Sequence, residues 1–552
     1  MDYFLLNMGI KGNKLQYCSC EDEGDISMPR FLFRKPVKKL SPLIKNKSFK
    51  EQNSPSLFSV HAKQNVDKIV HLLNAPADLV TRFFTLDEDQ RQCAVVSIAG
   101  LSDTEIINEQ IIHPLQLAIL EIKRDNSWSG RDIVDKLQNE FLAVQNVMKT
   151  ISLDDVLVGL LSGDTCMFID GADVALLIES KKWTGRSVEE PQTESLVRGP
   201  REGFNESIQT SMILIRRSIR DPNLRFEPYR IGERSKKQLI VAHIVGIAHP
   251  EIVEEVKRRV ETIHIDDAPE SGYIEQWIED SFLSPFPQIL HTERPDKVSA
   301  ALLQGKAAIL LEGTPFALIL PTTLPSLIQS PEDYYERWQI GTLIRILRYL
   351  AVVISMTLPA VYIALVSFHQ GMIPSNLAFS IAAAREGVPF PAVIEAFLME
   401  VTLELLREAG VRLPKPIGQT IGIVGGLVIG DAAVQAGIVS PIMVIVVAVT
   451  AISSFAIPSY SAGITFRMLR FATMLASSIF GLYGIILALI VISIHLSRLK
   501  SFGVPYMSPF TPSFIHDWRD LVLRAPITAL SKRPQFMQTD DEIRMRNEGR
   551  GK

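Results

Sequence analysis

Apolar and polar positions are distributed unevenly along the 552-residue chain. From about residue 66 to 330 the apolar residues fall in short runs broken by charged and turn-forming residues, which predicts alternating strands and helices. Beyond 330 the pattern changes: residues 349–384, 432–466 and 471–497 contain no Asp, Glu, Lys or Arg. Each run exceeds the ~20 apolar residues that cross a ~30 Å hydrocarbon layer at ~1.5 Å per residue. The spans read most directly are 349–368, 439–457 and 471–496, within four to five crossings in all. The expected fold is an α/β soluble N-terminal region of two related subdomains, followed by an all-α multi-pass transmembrane domain. The expected divisions are a disordered basic leader (1–65), two α/β subdomains (66–195 and 196–330), a helical transmembrane domain (331–500) and a C-terminal tail (501–552).

The α/β region repeats itself. Gln92–Glu109 matches Gln238–Glu255 at a constant spacing of 146 residues, each copy reading as a strand, a turn at Gly100 or Gly246, and a helix with early acidic residues that complement its dipole. Downstream, Gly163–Ile178 aligns without gaps to Gly305–Leu320, with Asp170-Gly171 matching Glu312-Gly313 between two apolar runs. An acidic residue followed by Gly predicts a hairpin, because Gly accepts the positive φ of the turn. The apolar stretch 305–324 is thus read as a buried hairpin rather than a span.

Arg198-Gly199-Pro200-Arg201-Glu202 lies between the two copies. It reads as a hinge with charge-paired arginines, or as an anion contact near the start of the next helix. Asn205 is the expected cap of that helix, whose buried face would include Ile208, Met212 and Ile215.

In the membrane half, Arg337, Arg345 and Arg348 precede the first span and favour a cytoplasmic position for that end. Pro359 predicts a kink that neighbouring helices must compensate. Residues 391–409 are apolar except for repeated charges. Glu400, Glu404 and Glu408 share one helical face, while Glu395 lies about 180° from Glu404. Ionisable groups at membrane depth face a bundle interior, an aqueous path or an ionic partner, so Glu395, Glu400 and Glu404 are candidate ion-path residues; an interfacial amphipathic helix is the alternative. Gly418, Gly422, Gly426 and Gly430 recur every four residues, a stripe on which another helix can pack closely. Whether 417–435 spans or is re-entrant stays open at this stage.

Composition narrows the classes. Fifty-seven basic against 61 acidic residues argue against a nucleic-acid binder, although residues 26–50 carry eight basic and no acidic side chains. Cys18, Cys20, Cys93 and Cys166 provide neither a disulfide framework nor paired zinc half-sites, and no metal or other cofactor is expected. No Walker A, G-x-S-x-G or H-E-x-x-H pattern occurs, so an enzyme is not expected; His243, His249 and His264 lack helical zinc-pair spacing. Residues 1–10 do not read as a secretory signal. The tail after 496 reads as a surface-lying, cytoplasmic segment.

Arg198–Phe204, the 391–414 segment with Glu395–Glu400 and Leu405–Gly410, and Thr420–Asp431 together resemble the A subunit of GerA-type spore germinant receptors, over about residues 66–515. The resemblance implies an inner-membrane protein of bacterial endospores, with the N-terminal domain on the cytoplasmic, core side. It implies a permease-like B subunit that binds the nutrient and a lipoprotein C subunit as partners. It also implies an oligomeric A subunit acting as a nutrient-gated channel for monovalent cations. A secondary transporter subunit and a non-conducting scaffold are the alternatives. The possible broken helix around 418–437 speaks for the transporter, and the small span number and lack of repeat between membrane halves speak against it.

Overall fold

The structure, a computed structural model, describes residues 58–74, 76–86, 91–122, 128–181, 190–191, 193–194, 196–412 and 430–545. Two antiparallel five-stranded sheets follow one another. The first holds β1 (Leu79–Thr85), β2 (Gln92–Ile98), β3 (Val147–Thr150), β4 (Thr165–Ile169) and β5 (Ala175–Ile178) in the order β1-β2-β4-β5-β3. The second holds β6 (Leu224–Ile231), β7 (Lys237–Ile244), β8 (Leu290–Thr292), β9 (Ala307–Leu311) and β10 (Ala317–Leu320) in the order β6-β7-β9-β10-β8, the same path.

The repeated residues hold equivalent positions. Gly100 and Gly246 follow β2 and β7 with φ of 82° and 81°, and Gly171 and Gly313 turn the β4-β5 and β9-β10 hairpins with φ of 85° and 87°. These are left-handed conformations that favour glycine. The acidic residue before each hairpin glycine ties the turn to the neighbouring strand. The Asp170 carboxylate accepts from the Gln92 amide at 2.7 Å, and Glu312 from the Gln238 amide at 2.9 Å. Each also donates its own amide back, to the Gln92 and Gln238 carbonyls. Residues 305–324 thus form the expected hairpin, with β9 and β10 fully buried.

Folded structure begins earlier than the expected leader boundary at 65. Helix α1 (Ala62–Leu72) buries Ala62, Val66 and Ile69, with Phe58, against one face of the first sheet. The cap of α2 (Ile208–Ser218) is Ser207, whose hydroxyl accepts from the Thr210 amide, and the Asn205 side chain instead accepts from the Ser207 amide two residues on, ahead of the helix. Ile208, Met212 and Ile215 are buried as expected. Contacts from α2 and from β6 fasten the two sheets' subdomains together. Arg216 on α2 forms a buried two-point ion pair with Asp78 at 3.0 and 3.1 Å, and Arg225 donates to the Leu73 carbonyl.

The helical half comprises α3 (Trp338–Ser367), α4 (Ser375–Arg385), α5 (Ala392–Arg412), α6 (Pro441–Phe455), α7 (Tyr460–Phe480) and α8 (Leu482–Arg498), among others. Among the described residues only α3 is both long and apolar enough to cross a membrane alone; α6 and α8 are apolar but shorter. The expected single span over 471–496 is corrected: the helix breaks at Gly481 (φ 61°, ψ −137°) and α8 folds back along α7. A side chain at Gly481 would come within 2.7 Å of His369, and one at Gly484 would run into the Ala476 carbonyl, so two glycines allow the close hairpin. Pro359 lies inside an unbroken α3. The hydroxyls of Thr473 and Ser477 on α7 donate to the Met356 and Ala360 carbonyls on either side of it, which ties α7 to α3 at the level of the proline.

Both ends of the helical half meet the second sheet. Phe286, Met356, Ile457, Phe466, Leu496 and Tyr506 belong to one continuous core with β6, β7 and β9 residues. The segment after α8 is more than a surface tail. Ser501 and Tyr506 are fully buried and donate to the Gln288 and Pro287 carbonyls, and the Tyr349 hydroxyl on α3 donates to Leu521.

Candidate functional site

Glu395 and Glu400 on α5 lie in two separate buried clusters on different helical faces, with Glu404 partly exposed beside the second and Glu408 at the surface. Glu395, near the start of α5, accepts from the amide and hydroxyl of Ser440 at the start of α6, both at 2.5 Å, and its other oxygen lies 3.1 Å from Arg385 of α4. Arg385 also donates to the Tyr362 hydroxyl on α3. Four helices therefore converge on one buried carboxylate.

A turn further, Glu400 lies 2.9 Å from Arg470 of α7, with both side chains almost completely buried. Glu404 contacts Arg467 at 3.0 Å, Arg407 at 3.1 Å and Arg470 at 3.8 Å. Arg407 in turn donates to the Ser454 hydroxyl at the far end of α6 and lies over the Phe455 ring. Within the single chain Glu400 faces an arginine with no access to water, and Glu404, partly exposed, is also paired with arginines. Arg467 and Arg470 lie inside α7 and supply the counter-charges. Such a layer is costly to desolvate, and removing one partner leaves an uncompensated charge. Its spacing, Arg467 and Arg470 one turn apart, was a signal available in the sequence.

A third cluster sits where α3 leaves the sheets. Arg345 and Arg348, which the charge pattern suggested as topology markers, are buried and both bind Asp333, at 3.1 and 2.7 Å. Arg345 also donates to the Asp520 carbonyl, and the Tyr334 hydroxyl donates to the Asp520 carboxylate at 2.7 Å. The start of α3 is thereby clamped to the C-terminal segment.

The inter-sheet motif is charge-paired. Arg198 faces Glu336 at 3.9 Å, Arg201 faces Glu190 at 3.1 Å and Glu202 faces Arg217 at 3.5 Å, all at the surface. Gly199 has φ of 148°, and a side chain there would come within 2.7 Å of the Tyr335 ring. The Pro200 carbonyl accepts from buried Arg294 at 2.9 Å. The arginines and Glu202 are thus each charge-paired, and the motif is held against Arg294 and Tyr335. Gly430 opens the helix Gly430–Gln435, where an added Cβ would lie 3.4 Å from Val444, whereas Gly418, Gly422 and Gly426 lie outside the described residues, as do Cys18 and Cys20. Cys93 and Cys166 are buried free thiols, with burial pushing both up from the ordinary thiol range.

Outside the helical half, Glu275 and Glu279 on the helix Ser271–Ile278 and just after it are both pushed up to about 7, chiefly by burial and then by neighbouring carboxylates. His243 is driven down to about 4 by burial, against the opposing pull of Glu227. Sequence patterning gave no sign of either, because burial is set by the packing of distant segments.

The family model described as Bacillus/Clostridium GerA spore germination protein matches residues 67–536. Spore germination protein GerLA of Bacillus cereus is 50% identical over 469 residues, covering 85% of this chain and 94% of that protein. Spore germination protein KA of Bacillus subtilis (strain 168) is 44% identical over 495 residues, 90% of each chain. The crystal structure of the N-terminal domain of the A subunit of the Bacillus megaterium spore germinant receptor GerK3 matches with 31% identity and a TM-score of 0.38, over 48% of this chain and 96% of that one. With the model spanning both sheets and the helical half, and relatives matching over nearly their whole length, this chain belongs to the GerA spore germination protein family.

Proposed function

We propose that this chain is the A subunit of a nutrient-responsive germinant receptor in the inner membrane of the endospore, with the α/β half on the core side. Its partners in this reading are a permease-like B subunit that binds the nutrient, a lipoprotein C subunit and further copies of itself. The helical half of that oligomer forms a gated path for monovalent cations, and the chain performs no enzymatic step. Family membership and relatives named as spore germination proteins support the receptor reading, and one relative at 42% identity is named a membrane protein.

The observation that carries the ion path is the pair Glu400–Arg470, two charges held almost without exposure inside the apolar helical half. Ionisable groups at that depth are expensive enough that they persist chiefly where ions or protons pass, or where a switch is built. In the resting chain Glu400 and Glu404 are occupied by arginines. Opening would free them, and repeated around an oligomer axis they would form an acidic ring that favours cations. The test is Glu400→Gln with Glu404→Gln, measuring potassium release and receptor level in the same spores. Reduced release at a normal level supports the path; unchanged release at unchanged level overturns it.

A scaffold reading is favoured by one geometric fact: Glu404 is shared by Arg407 and Arg467 on two different helices. If those pairs only hold the bundle together, the same double variant lowers receptor abundance and leaves release per receptor unchanged.

A further inference from the structure

The loop between the helix Ser271–Ile278 and β8 presents two large apolar side chains to the outside: Phe282 is 80% and Leu283 81% exposed. The loop is not loosely held. The Ser281 amide donates to the Gln288 side chain at 3.0 Å, and the Gln288 amide group donates back to the Ser281 carbonyl at 2.7 Å. Phe286 is buried among Phe466, His495 and Tyr506. Two contacts fix the loop against the α7–α8 hairpin: Ser284 Oγ lies 2.8 Å from His495 Nε2, and Thr465 Oγ1 donates to the Pro285 carbonyl. A rigid frame thus holds two bare apolar tips, an arrangement that marks an interaction surface.

What covers them follows from their position. His495 lies in the last turn of α8, whose outward face carries exposed Leu487, Ile490, Val491 and Ile494. Exposed Arg498 and Lys500 follow at once, and exposed Trp338 and Tyr460 begin α3 and α7 at the same end of the helices. Basic and aromatic residues at the ends of apolar helices mark the headgroup level of a bilayer. We infer that Phe282 and Leu283 insert into the lipid at this level, so that the second α/β subdomain is held against the membrane by its own wedge as well as by the spans.

The inference rests on the membrane reading above, and the experiment separates the two. In the full chain with Cys18→Ser and Cys20→Ser, an environment-sensitive fluorophore is attached at Leu283→Cys, with Phe282→Cys as a second position. Ile494→Cys on α8 and Val158→Cys on the first subdomain, both exposed, serve as references. The labelled chains are reconstituted into phosphatidylglycerol–phosphatidylcholine vesicles and quenched with doxyl-labelled lipid or aqueous iodide. The expected result is several-fold stronger quenching by doxyl lipid than by iodide at 282 and 283, like Ile494→Cys and opposite to Val158→Cys. Iodide quenching at 282 and 283, with Ile494→Cys still lipid-quenched, overturns the wedge and spares the membrane reading. Protection from both quenchers means another protein surface covers the loop and also overturns it. Iodide quenching at Ile494→Cys removes the membrane reading and the wedge together.

Discussion

At the scale of single residues, burial decides the charge state more than residue type does. Glu275 is pushed up to about 7, mostly by desolvation, whereas its unfolded value is the ordinary one near 4.5. A carboxyl whose folded value is raised contributes stability that is complete below the unfolded value and lost as pH rises through about 7. Glu275→Gln keeps the shape and removes the titration. The variant is expected to unfold at a higher temperature than the parent at pH 8, by the equivalent of about 1–3 kcal/mol, and to lose that advantage near pH 5. Thermal unfolding of the detergent-solubilised chain across this range measures it; a difference independent of pH would contradict the assignment. His243 works oppositely: its lowered value means stability falls as pH drops from about 6.5 toward 4. The pairing of Glu400 with Arg470 is the same lesson in the helical half, where neither side chain has bulk water to meet.

At the scale of elements, the α7–α8 hairpin shows how one glycine turns a continuous apolar run into two helices. Gly481 adopts a backbone conformation that residues with a side chain rarely enter, and His369 and Phe368 crowd the space where a Cβ would stand. Gly481→Ala is therefore expected to cost about 1–3 kcal/mol and to lower the unfolding temperature and the amount of protein recovered from membranes. Gly371→Ala is the control, because nothing lies within 4 Å of a Cβ built there. Equal recovery of both variants would show that the turn tolerates a side chain.

At the scale of the whole molecule, the two α/β subdomains are joined through the buried Asp78–Arg216 pair. Breaking such a pair by removing one partner typically costs about 3–5 kcal/mol, because the remaining charge is left in a dry interior, while replacing both partners by apolar groups is often close to neutral. Arg216→Met is expected to expose the segment between the sheets to limited proteolysis and to lower the unfolding temperature. Asp78→Leu with Arg216→Met recovers most of the loss. Failure of the double variant to recover would mean the pair matters for more than charge balance. The Asp333–Arg345–Arg348 clamp does the corresponding job between the sheets and the helical half, and the C-terminal segment completes it.

Much of this was written in the sequence. The 146-residue repeat, the acidic-Gly hairpins and the uncharged runs after 349 are local patterns. They depend on backbone preference and on the hydrophobicity of nearby residues, so the sequence alone determined that the chain has a duplicated α/β half and an apolar helical half. The carboxylates of α5 and their two opposed faces were legible for the same reason, since helical geometry is local. What the tertiary structure decided is which charges meet. Arg467 and Arg470 lie more than sixty positions from the glutamates they bind, and Arg345 looked like a topology marker until Asp333 and Asp520 were seen around it. Helix breaks such as Gly481, and the burial that displaces Glu275 and His243, likewise follow from contacts between distant segments. A charge in sequence is only a residue type; its energy is fixed by the neighbours and the water that folding leaves around it.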